Sequence, residues 1–221
     1  NDNFAMLHTR LSIIGIGSQG AQPMISQNGR YVISFNGEIY NFKTLKQELN
    51  NNYEIKWKGN SDTEVLIEGI SLLGFEKFIA KTEGMFSLAL WDKKDKTLKL
   101  ARDRLGEKPL YFGRFYSGIF SSFAFSSDIG SLTNLSSKKL KLNKFAITEF
   151  INNGWINGEK TIYEDITKVE PGEYIEINIT RNSCDFDIKK YKYWQPIFTN
   201  SEKPLFSNFQ KSKSELKSIL L

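Results

Sequence analysis

Phe35-Asn36-Gly37-Glu38-Ile39-Tyr40-Asn41-Phe42 follows an apolar run, Tyr31-Val32-Ile33-Ser34-Phe35, with an amide, a glycine and a carboxylate. The run reads as a strand, and Asn36-Gly37 reads as the turn that stops it, because both residue types tolerate positive φ. Such a turn sets an amide side chain and an unhindered backbone N–H at the mouth of a sheet. Two donors of that kind suit a developing oxyanion. Alone, an Asn-Gly step is more often a plain hairpin turn.

Outward from this point the chain alternates strand and helix signals. Upstream, Ser12 to Ile16 is apolar and reads as a strand, Gln19 to Met24 as a bent connection, and Asn28-Gly29 as a hairpin turn. Downstream, Asn41 is placed to cap a short helix through Leu49, with Phe42, Leu45 and Leu49 on one face. Ser61-Asp62-Thr63-Glu64 is a capping box, and Val65, Leu66, Ile70 and Leu73 continue a helix to Gly74. Residues 75–80 form a further short helix.

Met85 to Asp92 is almost wholly apolar and reads as a strand buried on both faces. Thr97 to Arg102 alternates, and Leu110 to Gly113 and Ile119 to Ser126 follow on short, antiparallel connections. Lys144 to Asn153 is a helix stopped by Gly154, and Tyr174 to Ile177 is a strand after the Pro171-Gly172 turn. Residues 182–210 read as irregular or linking, and a helix begins at Ser212. The order implies a layered α+β domain with helices covering antiparallel sheets.

Composition narrows the chemistry. The net charge of +5 is spread evenly over both halves of the chain. The local cluster Lys138-Lys139-Leu140-Lys141 reads as a solvated strand face rather than a phosphate-binding patch, so no nucleic-acid partner is expected. No apolar run approaches the roughly 18 residues of a membrane helix, so no membrane partner is expected either. One Cys and one His argue against disulfides, a Cys-based zinc site and a His-rich metal centre. No metal is expected, and the cysteine usage suits a reducing cytoplasm.

The motifs then fall into a familiar order: His8-Thr9-Arg10-Leu11-Ser12-Ile13-Ile14, Gln22-Pro23-Met24, Asn36-Gly37-Glu38-Ile39-Tyr40-Asn41, Ser61-Asp62-Thr63-Glu64, Gly84-Met85-Phe86, Ala101 to Tyr111, Val169 to Gly172, and Tyr193-Trp194. Together they resemble the glutamine-hydrolysing asparagine synthetases, class II glutamine amidotransferases with an N-terminal-nucleophile fold. The resemblance implies a four-layer αββα sandwich of largely antiparallel sheets. It implies L-glutamine as substrate, hydrolysed to glutamate and ammonia for the amidation of aspartate.

By that resemblance, the Asn36 side chain and the Gly37 N–H form the oxyanion hole. Arg10 grips the glutamine α-carboxylate, Leu11 and Ile13 shape the wall, and Glu38 and Asp62 face the α-ammonium. Arg10 by itself reads as a surface ion pair, and Asp62 as an N-terminal helix residue complementing the helix dipole. His8 reads as a hydrogen-bonding residue and not as a base. Arg102, Asp103, Arg104 and Lys108 read as a structural charge network, and Trp91 and Trp194 as core.

The family's N-terminal Cys nucleophile has no counterpart, since Cys184 sits among Asn182, Ser183 and Asp185. The expectation is therefore a fragment truncated at both ends and inactive alone. Residues 1–181 would form the amidotransferase domain lacking its N-terminal segment. Residues 182–221 would be a linker and first helix toward a synthetase domain, with ATP and Mg2+ as cofactors there and none here. Partners would be that domain, a second copy of the chain, or both. Two alternatives remain open on the residues: amidation of a sugar acid in surface-polysaccharide assembly, and a glutamine-binding module without catalysis.

Overall fold

Asn28-Gly29 makes the expected turn. Gly29 takes φ +74°, and the Ser26 N–H reaches the Tyr31 carbonyl at 3.0 Å, joining β1 (Met24–Ile25) to β2 (Tyr31–Ile39). The turn expected at Asn36-Gly37 is not there. β2 runs straight through both residues and pairs antiparallel with β3 (Gly84–Asp92), from Tyr31 opposite Asp92 to Ile39 opposite Gly84. The glycine is needed for a different reason. Gly37 sits at φ +150°, and a Cβ there would lie 2.1 Å from the Met85 carbonyl oxygen. The position serves a close strand approach, which no side chain would permit. Gly37→Ala is expected to spread β2 from β3 and cost about 2–3 kcal/mol, read as a lower thermal midpoint.

The computed structural model describes residues 4–9, 20–117, 120–178, 186–196 and 208–220. After β2 come α1 (Phe42–Asn52), α2 (Asp62–Leu73) and α3 (Phe75–Ile79), then β3 and β4 (Thr97–Arg102). The second half holds β5 (Tyr111–Ser117), β6 (Phe120–Ser126), α4 (Ile129–Thr133), α5 (Lys144–Asn153), β7 (Ile166–Lys168), β8 (Glu173–Asn178), β9 (Asp187–Lys192) and α6 (Phe209–Leu220). Asn41 precedes α1 but makes no cap bond; its amide instead holds the Lys81 carbonyl and the Glu83 N–H across the next connection.

Among the described residues, six strands form one antiparallel sheet in the order β1-β2-β3-β4-β8-β9, and three form another in the order β6-β5-β7. Period-two alternation sorts the side chains of the large sheet. Ile33, Phe35, Phe86, Leu88 and Leu90 face one way and pack on Leu45, Leu49, Val65, Ile70 and Phe78 of the first three helices. Ala89, Trp91, Leu98, Leu100, Ile175 and Ile177 face the other way and meet Phe112, Phe123 and Phe125 of the small sheet, with Leu110 just before it. Behind the small sheet, Phe115 and Ile166 pack on Leu132 of α4. The layers are thus helices, sheet, sheet and helix, the expected αββα order.

Other expectations shift in detail. β9 turns part of the supposedly irregular stretch 182–210 into an edge strand, paired with β8 from Glu173 opposite Lys192 to Asn178 opposite Asp187. The Lys138 to Lys141 stretch is solvated but lies outside any strand. Trp91 is core, whereas Trp194 is only half-buried, with the Arg104 guanidinium 6.0 Å from its ring centre. α6 contains no buried residue. The strand expected over Ser12 to Ile16, and Cys184, lie outside the described residues.

Candidate functional site

The site begins at the outer edge of β2. Alternation turns the N–H groups of Ile33, Phe35, Gly37 and Ile39 away from β3. Ile33 lies opposite Met24 of β1. Beyond Ile25 the β1 strand ends in the upstream direction at Met24, so side chains take over the edge. Gln22 accepts from the Phe35 N–H at 2.6 Å and donates to the Phe35 carbonyl at 3.0 Å. Asp62 accepts from the Ile39 N–H at 3.0 Å. The Gly37 N–H falls between these two clamps, and no side chain among the described residues accepts from it. The neighbouring Asn36 side chain is exposed and likewise has no hydrogen-bond partner among the described residues.

These groups open into a cavity of about 640 Å³ between the two sheets. Ser34, Asn36, Gly37 and Glu38 line it from β2, Asp62 from α2, Ser87 and Ala89 from β3, and Phe125, Ser126 and Ser127 from the end of β6. Lys108 and Leu110 close it from the connection between β4 and β5. The structure therefore brings Asn36, Gly37, Glu38 and Asp62 around one hollow. Arg10, Leu11 and Ile13 lie outside the described residues. Leu7, His8 and Thr9, immediately before them, line the same cavity.

Asp62 carries the distinctive electrostatics. Ser61 caps α2 by accepting from the Glu64 N–H at 3.2 Å, which fixes Asp62 as the first helical residue. Only half of the capping box forms, because Glu64 instead accepts from the N–H groups of Lys58 and Gly59. Asp62 is 6% exposed and has no cationic partner among the described residues. Burial pushes its carboxyl above the ordinary aspartate range; bonds from Ile39 and Thr63 pull the other way, and the Glu38 charge adds to the rise. A cation entering the cavity would relieve this unpaired charge. Asp62 sits both at the helix start and on the cavity wall.

Behind the cavity the expected charge network has a different character. Asp103 is fully buried and accepts from the backbone N–H groups of Phe86 (3.2 Å), Leu105 (3.0 Å), Glu107 (3.0 Å) and Lys108 (2.9 Å). Arg102 donates to the carbonyls of Lys108 (2.7 Å), Val169 (2.9 Å) and Gly106. These side chains brace a loop through its backbone instead of pairing with each other. Arg104 points elsewhere, donating to the Ala80 carbonyl at 3.1 Å. His8 is hydrogen-bonded to the Ser34 hydroxyl at 3.0 Å.

Sequence reasoning missed Gln22, Ser34 and the cavity side of Lys108. Gln22 stood in a recognised motif, but no spacing announces a glutamine that holds a strand edge.

A family model described as a glutamine amidotransferase domain matches residues 1–194. Asparagine synthetase [glutamine-hydrolyzing] 2 of Bacillus subtilis (strain 168) is 35% identical over 193 residues, covering 84% of this chain and 24% of that protein. Putative asparagine synthetase [glutamine-hydrolyzing] 2 of Methanocaldococcus jannaschii is 28% identical over 211 residues, covering 88% of this chain and 38% of that protein. The chain thus spans well under half the length of these relatives. Among solved structures, glutamine phosphoribosylpyrophosphate amidotransferase from B. subtilis aligns with a TM-score of 0.54 at 23% identity, over 86% of this chain and 35% of that one. That likeness shows a shared fold.

Proposed function

The chain belongs to the glutamine amidotransferase domain family, and from that premise we propose that it is the ammonia-supplying glutaminase part of an asparagine synthetase. The observation that carries the reading is the convergence of Asn36, Gly37, Glu38 and Asp62 on one cavity. L-Glutamine presents three features to be held: an α-ammonium, an α-carboxylate and a side-chain amide. Asp62 and Glu38 supply anionic charge for the first. Arg10 supplies the cation for the second. The free Asn36 amide and the Gly37 N–H are the donors for the third, and they strengthen as its carbonyl oxygen becomes an oxyanion.

The nucleophile belongs to an N-terminal Cys whose own α-amine serves as base. Cys184 does not take that part. Aspartate as acceptor, and ATP with Mg2+ for its activation, are assigned by this reading to a synthetase portion, in keeping with the name asparagine synthetase that the relatives carry. No helix among the described residues is long and apolar enough to cross a membrane, and a cytoplasmic setting suits the single cysteine.

Two measurements test this. L-Glutamine titrated into the domain is expected to shift the amide resonances of Asn36, Gly37 and Thr63. In the full-length parent protein, Asn36→Ala is expected to lower kcat for ammonia release about a hundredfold with little change in KM. An unchanged kcat would remove Asn36 from the oxyanion site.

A further inference from the structure

We propose that Gln22 is a positioning residue for the Gly37 donor. The inference rests on the glutaminase reading above and adds to it a residue with no charge and no direct part in the chemistry. At the outer edge of β2, a regular neighbouring strand would pair with Phe35 and go on to pair with Gly37. That would consume the N–H the site needs. No strand does so. β1 ends at Met24, opposite Ile33, and one side chain stands in for the next residue of a strand. The Gln22 amide presents an acceptor to the Phe35 N–H at 2.6 Å and a donor to its carbonyl at 3.0 Å.

A primary amide is the only side-chain group that offers both halves of a peptide pairing in one plane. It satisfies Phe35, which is buried and could not leave its polar groups unpaired. It then stops, because it has no further backbone to offer Gly37. On the far side, Asp62 holds the Ile39 N–H at 3.0 Å in the same manner. Gly37 is suspended between two fixed points, two residues from each. The β3 ladder holds Gly37 on its inner side, and on the open edge, where a glycine at φ +150° has no side chain, the flanking clamps keep its N–H turned outward. Gln22 also lines the cavity, within the space a ligand would share.

The test compares L-glutamine with L-norvaline, which keeps the α-ammonium and α-carboxylate and lacks the side-chain amide. Gln22→Met preserves length and removes both hydrogen bonds. In Q22M the affinity for L-glutamine, measured by resonance shifts on the domain, is expected to fall roughly fivefold while that for L-norvaline stays unchanged. The Gly37 amide is expected to exchange faster with solvent deuterium in the free variant. Equal losses for both ligands would overturn the proposal and leave Gln22 a merely structural residue. Should Q22M not fold, Q22E keeps an acceptor for the Phe35 N–H and loses the donor to its carbonyl. An unaltered glutamine-to-norvaline ratio in Q22E would likewise overturn the proposal. Failure of the unsubstituted domain to bind L-glutamine is a separate result, which would sink the glutaminase reading itself.

Discussion

Asp103→Ala is expected to destabilise the domain by about 4 kcal/mol, lowering its thermal midpoint by roughly 10 °C. The carboxylate is fully buried and satisfies four backbone N–H groups at once. Removing it leaves four donors to find partners. Leu105 and Glu107 are exposed and can turn their N–H groups to water. Phe86, inside β3, cannot, and its lost bond carries the full desolvation cost. Arg102 would also lose the nearby anion while its own carbonyl partners shift with the loop. The effect should reach the site, because Lys108 and Leu110 of that loop wall the cavity. Thermal melts of D103A and D103N measure it. The asparagine variant keeps the shape but accepts through only one oxygen, so its loss should be smaller. A midpoint within about 2 °C of the unsubstituted domain for D103A would show that the loop holds itself.

Asp62→Asn is expected to weaken L-glutamine binding about a hundredfold, the cost of replacing a charge-assisted contact by a neutral one. The pH dependence follows from the raised carboxyl. In the free domain the folded state holds the Asp62 proton more tightly than the unfolded chain does. Between the ordinary aspartate value and the raised one, the free fold therefore loses stability as pH rises. Ligand reverses the sign of the interaction. An α-ammonium pairs with the ionised carboxylate, so binding is full above the raised value and disappears as pH falls through it. Titration calorimetry at a series of pH values should place that loss above the usual aspartate range, and D62N should show no such step. A loss of affinity in D62N that keeps the step would show that Asp62 does not carry it.

How much of this the sequence disclosed depends on what kind of force sets each feature. Asn28-Gly29, Ser61 and Gly74 were legible because turns and caps are local: the φ values and one short hydrogen bond decide them. β3 was legible because burial on both faces removes every polar position from Phe86 to Trp91 except Ser87. Asn36-Gly37 was misread because the same dipeptide serves a turn and a crowded strand crossing. What chose between them was the Met85 carbonyl, nearly fifty residues away in sequence. β9 was hidden by Asp187, Lys189, Lys190 and Lys192, whose charges suit an edge strand and mask alternation. Asp62 and Glu38 were reached through resemblance, whereas their convergence with Asn36 is a property of the fold. Gln22 acts on the backbone of Phe35, and Asp103 ties its own loop to Phe86 of β3; side-chain-to-backbone bonds of this kind have no sequence period to betray them.

The order of strands in the large sheet also bears on how the molecule assembles. β1–β2 and β3–β4 join strands that are adjacent in the chain, while β2 meets β3 across the three helices, from Ile39 opposite Gly84 to Tyr31 opposite Asp92. β4 then waits for β8: Thr97 pairs with Asn178, and everything between Arg102 and Glu173, the whole small sheet included, intervenes. Closing so large a loop costs entropy before any of its pairings reward it. The β8–β9 hairpin should therefore dock late, as the slow phase of refolding.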